Sequence, residues 1–201
     1  MKRDRALGVA LLVLGSALPG CRKAPTADAD PSVTGKSSAP PPLDTSWEQN
    51  PGRLLAPKER APDFEGIAHT GMRVRLSSFS GKTVVVFFYG ADKTPEATAE
   101  VRAFRDAWMR FIPLRTMVIG VSADDRVMHR DFATAEELPF LLVTDEGGKI
   151  ARAFGVPSDG GRSRPATFVV SPEGVVLRVI SAPNPSAYAT EILDALSPPA
   201  R

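Results

Sequence analysis

"TVVVFFYGADKTPEATAEVRAFRD", residues 83–106, carries two periodicities joined by a turn. The first six residues are all apolar or β-branched, the pattern of a strand buried on both faces. A glycine-containing loop, Gly90 to Lys93, then leads to Thr94-Pro95. Threonine followed by proline is a helix-start signal: the hydroxyl accepts from a free first-turn N–H, and proline has no N–H to leave unsatisfied. Beyond it, Ala97, Val101, Phe104, Trp108 and Phe111 recur at i+3 and i+4 spacing, the apolar stripe of an amphipathic helix. Strand, tight loop and capped helix in this order make one α/β unit and set the frame for the rest.

Further units follow downstream. "RTMVIGVSA" reads as a second buried strand, "DRVMHRDFATAEE" as a second helix, "PFLLVTD" as a strand and "GGKIARAFGV" as a short helix ending at Gly155. "ATFVVSPEGVVLRVI" is a hairpin turning at Pro172-Glu173-Gly174, and "NPSAYATEILDAL" closes with Tyr188, Ile192, Leu193 and Leu196 at helical spacing. Alternating strands and helices with a terminal hairpin and helix predict an α/β sandwich, a central mixed sheet flanked by helices.

Upstream the texture differs. Lys2, Arg3 and Arg5 precede the apolar run Ala6 to Leu18, which is too short to span a bilayer as a helix. It ends "LPGC", similar to a bacterial lipoprotein signal, which implies cleavage before Cys21 and lipid attachment there. Residues 1–20 are therefore expected to be a signal peptide. Residues 21–60, rich in Pro, Ala and Ser, are expected to form a flexible tether, because so little apolar surface cannot offset the entropy of ordering. Its r.m.s. reach is roughly 35 Å. Trp47, Leu54 and Leu55 are the tether residues able to dock. The folded domain is expected over residues 61–198. The expected location is the cell envelope, with the domain in the periplasm and the outer membrane favoured by Arg22 after the cysteine.

The formal charge of +2 lies within the first five residues, and no basic stripe with interleaved aromatics follows, so nucleic acid is not an expected partner. The expected partners are the membrane, through Cys21, and an envelope protein. Cys21 is the only cysteine, so the domain itself has no thiol and no disulfide. The two imidazoles, His69 and His129, lie far apart in sequence without metal-ligand spacing, and neither a metal nor any other cofactor is expected.

From Ala61 to Leu196 the chain resembles the peroxiredoxins of the alkyl hydroperoxide reductase / thiol-specific antioxidant family, in particular the bacterioferritin-comigratory-protein type. "DKTPEATAEVRAFRD" follows the active-site segment of that group, and "GVSADDRVMHRDFATAEELPFLLVTDEGGKIARAFGV" and "PATFVVSPEGVV" continue the same order of elements. The resemblance implies a thioredoxin-like fold and, for the family, thiol-dependent peroxide reduction. It places a proline at Gly90, a threonine or serine at Thr94, the peroxide-attacking cysteine at Ala97, a resolving cysteine at Arg102 and the thiolate-stabilising arginine at Pro165, with Arg164 one place earlier. Only Thr94 of that set is retained. A thioredoxin frame places Cys-x-x-Cys at Thr94 and Ala97 and a cis-proline at Pro165.

Alanine has no nucleophile to attack an O–O bond. The expected function is therefore that of a non-catalytic redoxin module for binding or scaffolding. Thr94, Thr98, Glu100 and Arg164 are the candidate ligand contacts, set against plainer roles as helix cap, helix surface and surface charge. The alternatives are an antioxidant activity using a partner's thiol, and a domain with no surviving site.

Overall fold

The computed structural model describes residues 52–181 and 188–196, all within the unit Pro41–Arg201. Cys21, Trp47, the signal peptide and most of the tether lie outside the described residues.

The strands are β1 (Glu65–Ala68), β2 (Arg73–Arg75), β3 (Thr83–Phe88), β4 (Thr116–Ser122), β5 (Leu141–Thr144), β6 (Ser158–Asp159), β7 (Arg162–Ser163), β8 (Ala166–Val170) and β9 (Val176–Ser181). The helices are α1 (Pro95–Asp106), α2 (Trp108–Phe111), α3 (Arg126–Ala135), α4 (Lys149–Ala153) and α5 (Tyr188–Leu196). Seven strands form one sheet in the order β2-β1-β5-β4-β3-β8-β9. The central strands β3, β4 and β5 run parallel, while β1, β2, β8 and β9 join antiparallel, which gives the mixed sheet expected from the sequence.

The two-residue period of β3 divides the interior. Val84, Val86 and Phe88 face a core with Phe154, Phe168 and α4. Val85, Phe87 and Tyr89 face the opposite core, built from α1, α3 and α5. In the latter, Phe87 stacks on Phe104 with centroids 4.7 Å apart, so the helix stripe lands on the strand run that precedes it. Gly120 of β4 admits this stack, since a Cβ there would lie 2.6 Å from Phe87 Cζ.

Three features depart from the sequence reading. The domain begins upstream of Ala61. Leu54 and Leu55 pack on the core, Leu55 N–H donates to Phe154 O at 3.1 Å, and Lys58 and Glu59 bond the backbone of Val176 at the start of β9. Edge-strand hydrogen bonds and two leucines are enough to order a segment whose composition alone reads as a tether. Second, the helix expected to run from Pro95 through Phe111 breaks at Ala107 into α1 and the single turn α2. Third, a small hairpin, β6–β7, precedes β8; it is too short to carry a period.

Candidate functional site

The loop between β3 and α1 is built by local chemistry. Thr94 is extended (φ −71°, ψ 152°) and caps α1, its Oγ1 accepting from Ala97 N–H at 3.2 Å and donating to Ala91 O at 3.0 Å. Pro95 occupies the first helical position. Lys93, just before the cap, sits in the left-handed region at φ 62°.

Above this helix start lies an open cavity of about 270 Å³. Its walls come from Tyr89, Gly90, Ala91, Thr94, Glu96, Ala97, Glu100, Arg162 and Pro165. Ala97 is 2 % exposed and presents a methyl group where the family resemblance places a reactive sulfur. Of the sequence candidates, the structure brings Thr94, Ala97, Glu100 and Pro165 together here. Glu100 is buried.

Others fall elsewhere. Thr98 is partly buried on α1 and does not line the cavity. Arg102 points outward and forms a bidentate pair with Glu136, Nε to Oε2 at 2.6 Å and Nη2 to Oε1 at 3.1 Å. Arg164 is exposed and outside the lining; Arg162, from the β6–β7 hairpin, is the arginine that lines the cavity instead. The hairpin register sets this, because Arg164 N–H donates to Pro157 O and carries the chain onward into β8. The peptide before Pro165 is trans, against the cis-proline of the thioredoxin frame.

Behind the loop lies a polar cluster that the sequence reading did not assemble. Asp92 accepts from Tyr89 Oη at 2.7 Å and faces His129 Nδ1 at 2.8 Å. The Asp92 and His129 side chains are both fully buried. Because a carboxylate only accepts, the imidazole proton belongs on Nδ1. Asp92 N–H in turn donates to Asp124 Oδ2 at 2.6 Å, and that oxygen also accepts from Ser122 Oγ at 3.1 Å. Burial, then the Asp92 charge and its hydrogen bond, push the Tyr89 phenol well above its ordinary range. Tyr89 is therefore a neutral donor and a wall of the cavity.

His69 is drawn toward the same region. Its Nδ1 accepts from Leu142 N–H at 3.1 Å, and burial and the neighbouring His129 hold its imidazole below the ordinary histidine value. Among the described residues no three His, Cys, Asp or Glu side chains are grouped to hold a metal ion. The signal that pointed to the cluster was present in the sequence: Tyr89 and Asp92 flank Gly90-Ala91 at the end of a buried strand. Its distant partner, 37 residues beyond Asp92, was not readable from spacing.

The AhpC/TSA family model matches residues 57–179. Among curated proteins, the chain is 38% identical over 146 residues to the chloroplastic peroxiredoxin Q of Gentiana triflora, covering 72% of this chain and 67% of that protein. It is 43% identical over 117 residues to that of Triticum aestivum, covering 57% of this chain and 54% of that protein. The first curated relatives are matched over only 54% of their own length. Among solved structures, peroxidoxin BcpB from Mycobacterium tuberculosis superposes with a TM-score of 0.67 at 32% identity, over 71% of this chain and 96% of that one. Peroxiredoxin Q from Xanthomonas campestris gives 0.65 at 27%, over 72% and 96%. Sequence, sheet order and these likenesses converge: the chain belongs to the AhpC/TSA family, as a peroxiredoxin-like protein of thioredoxin-like fold.

Proposed function

We propose that this domain is a non-catalytic member of its family, a binding module whose former reaction pocket receives a partner instead of reducing a peroxide. The observation that carries this reading is Ala97, a buried methyl group in the cavity wall at the helix start, in a chain whose only cysteine is Cys21. The two-electron step needs a sulfur that can become a sulfenic acid, and neither the Thr94 hydroxyl nor a carboxylate supplies one.

The occupant that fits is an apolar side chain presented by a protein partner. Ala91, Ala97, Pro165 and the Tyr89 ring offer apolar surface, and the Arg162 charge is offset by Glu96 and Glu100. A free anion would meet those two carboxylates. Lipidation at Cys21 would hold the module at the envelope, and mass spectrometry of the mature protein for a diacylglyceryl cysteine tests that part separately.

The central test is peroxide consumption with thiol reductants. No turnover above buffer is expected, and clear activity at stoichiometric protein sinks the reading. Filling the cavity by Ala97→Phe should abolish cross-linking to an envelope partner that wild type captures; undiminished capture argues against the pocket as the docking point. The second reading, activity through a thiol supplied by a partner, draws on the open cavity with Thr94 in place. It would show as peroxide turnover that appears only when a thiol protein is added.

A further inference from the structure

His129 is fully buried on α3, a helix already capped by Asp125, which accepts from Val127 and Met128 N–H at 2.8 and 2.9 Å. Phe132 and Ala133 of the same helix supply core contacts. A leucine would fill the His129 site without polar cost. The imidazole uses only one edge: Nδ1 meets Asp92 Oδ2 at 2.8 Å, with Tyr89 Oη at 3.3 Å, while Nε2 is buried without a hydrogen-bond partner. The polar work of this residue is thus directed at one loop.

That loop forms part of the cavity wall, through Tyr89, Gly90, Ala91 and Thr94. Its centre, Asp92-Lys93, includes a left-handed residue that bears a side chain, a conformation disfavoured by Cβ sterics. Within the loop, Thr94 Oγ1 bonds Ala91 O and Tyr89 Oη bonds Asp92, and two contacts from outside add to these. Asp124 grips the Asp92 N–H from the β4–α3 connection, and His129 grips the Asp92 carboxylate from α3.

We propose that His129 is a positioning residue which, acting through Asp92, fixes the β3–α1 loop and thereby the shape of the cavity. Without the Nδ1 donor, Asp92 is left fully buried with one fewer hydrogen bond. A buried carboxylate in that state either takes up a proton or moves to water. Asp92 belongs to the loop, so its exit opens the wall. The effect is local, because the Asp125 cap and the Phe132 contacts of α3 do not involve the imidazole. This inference concerns the cavity's geometry and stands whichever partner fills it.

The test uses the full chain as His129→Leu and His129→Asn, read by amide hydrogen exchange with mass spectrometry. His129→Leu is expected to speed exchange across residues 90–97 about tenfold or more, while β4 and β5 stay within about twofold of wild type. His129→Asn, whose side-chain N–H lies near the Nδ1 position, should return the loop to within about threefold. A uniform rise across loop and strands, an unchanged loop, or an Asn variant no better than Leu overturns the proposal. Asp92→Asn supplies the second arm should the leucine variant not fold. It is expected to speed exchange in the same peptides, and protection equal to wild type in that variant also overturns the proposal.

Discussion

Replacing Ala97 with cysteine asks whether the pocket keeps any of the field that chemistry would need. The new sulfur would enter the first turn of α1, beside the Thr94 hydroxyl that already accepts from Ala97 N–H at 3.2 Å. The helix start favours a thiolate by about 0.3–1 kcal/mol, or about 0.2–0.7 of a pKa unit. Three effects oppose it. The site is 2 % exposed, so burial disfavours the charge. Glu100 lies one turn further on, and a carboxylate about 6 Å away costs about 0.7 kcal/mol in water-like surroundings and more when desolvated. Glu96 adds to the same side, while Arg162 is exposed and screened. The balance puts the thiol at or above about 8.5, its ordinary value. In a Cys21→Ser background the new thiol is the only one, and its ionisation is followed by ultraviolet absorbance against pH. Peroxide consumption should be slow and near that of a free thiol of the same pKa. A thiolate forming below about pH 6.5, or consumption several hundred times faster, would refute the reasoning that burial, Glu96 and Glu100 outweigh the helix start.

Other outcomes follow from the same structure. Burial and the neighbouring His129 hold the His69 imidazole below its ordinary value, so the unfolded chain takes up that proton first. Stability from this source is present above about pH 6.5 and is lost as pH falls from there through the folded value; Tm measured from pH 7.5 to 5 should decline, and less steeply in His69→Gln. Phe104, fully buried and stacked on Phe87, should cost about 3–5 kcal/mol as alanine in chemical denaturation, and a loss below about 1.5 contradicts the assigned core. Thr94→Ala removes the α1 cap and should cost about 1 kcal/mol by the same measurement. Gly120→Ala pushes a methyl against Phe87 and Leu142 and should cost about 1–3 kcal/mol; an unchanged midpoint would show that the β3–β4 contact is looser than described.

The fold was readable because its period-setting residues are local. The run Val84 to Phe88 and the stripe Ala97, Val101, Phe104 each declare an element, and their meeting in one core follows from the short loop between them. The cap at Thr94 was legible for the same reason. Leu54 and Leu55 could be named as able to dock, but nothing local declares where, since their gain depends on the sheet edge and on Phe154, about a hundred residues away. The site divides along the same line. Thr94, Ala97 and Glu100 follow one another at three-residue spacing from the cap of α1 along its face and could be placed from spacing. Arg162 reaches the cavity through a hairpin of two-residue strands, and the eye falls on Arg164 because it adjoins the recognisable strand. The Asp92–His129 pair is a contact between layers, which no one-dimensional period encodes.

The pair between Arg102 and Glu136 bears on the mobility of α1. Positions 97 and 102 are five residues apart on one helix, about 7.5 Å along its axis, beyond the roughly 7 Å that a disulfide can span. Any shuttling of oxidation between those positions therefore demands that α1 unwind. Here Arg102 fastens α1 to the end of α3, and Arg105 adds a bond to Glu136 O at 3.0 Å. Two arginines of α1 thus share one partner at the end of α3. A cysteine at position 97 leaves both arginine bonds to Glu136 intact, so α1 is expected to stay wound in that variant, whereas a cysteine at 102 removes the Arg102 pair and leaves only the Arg105 bond.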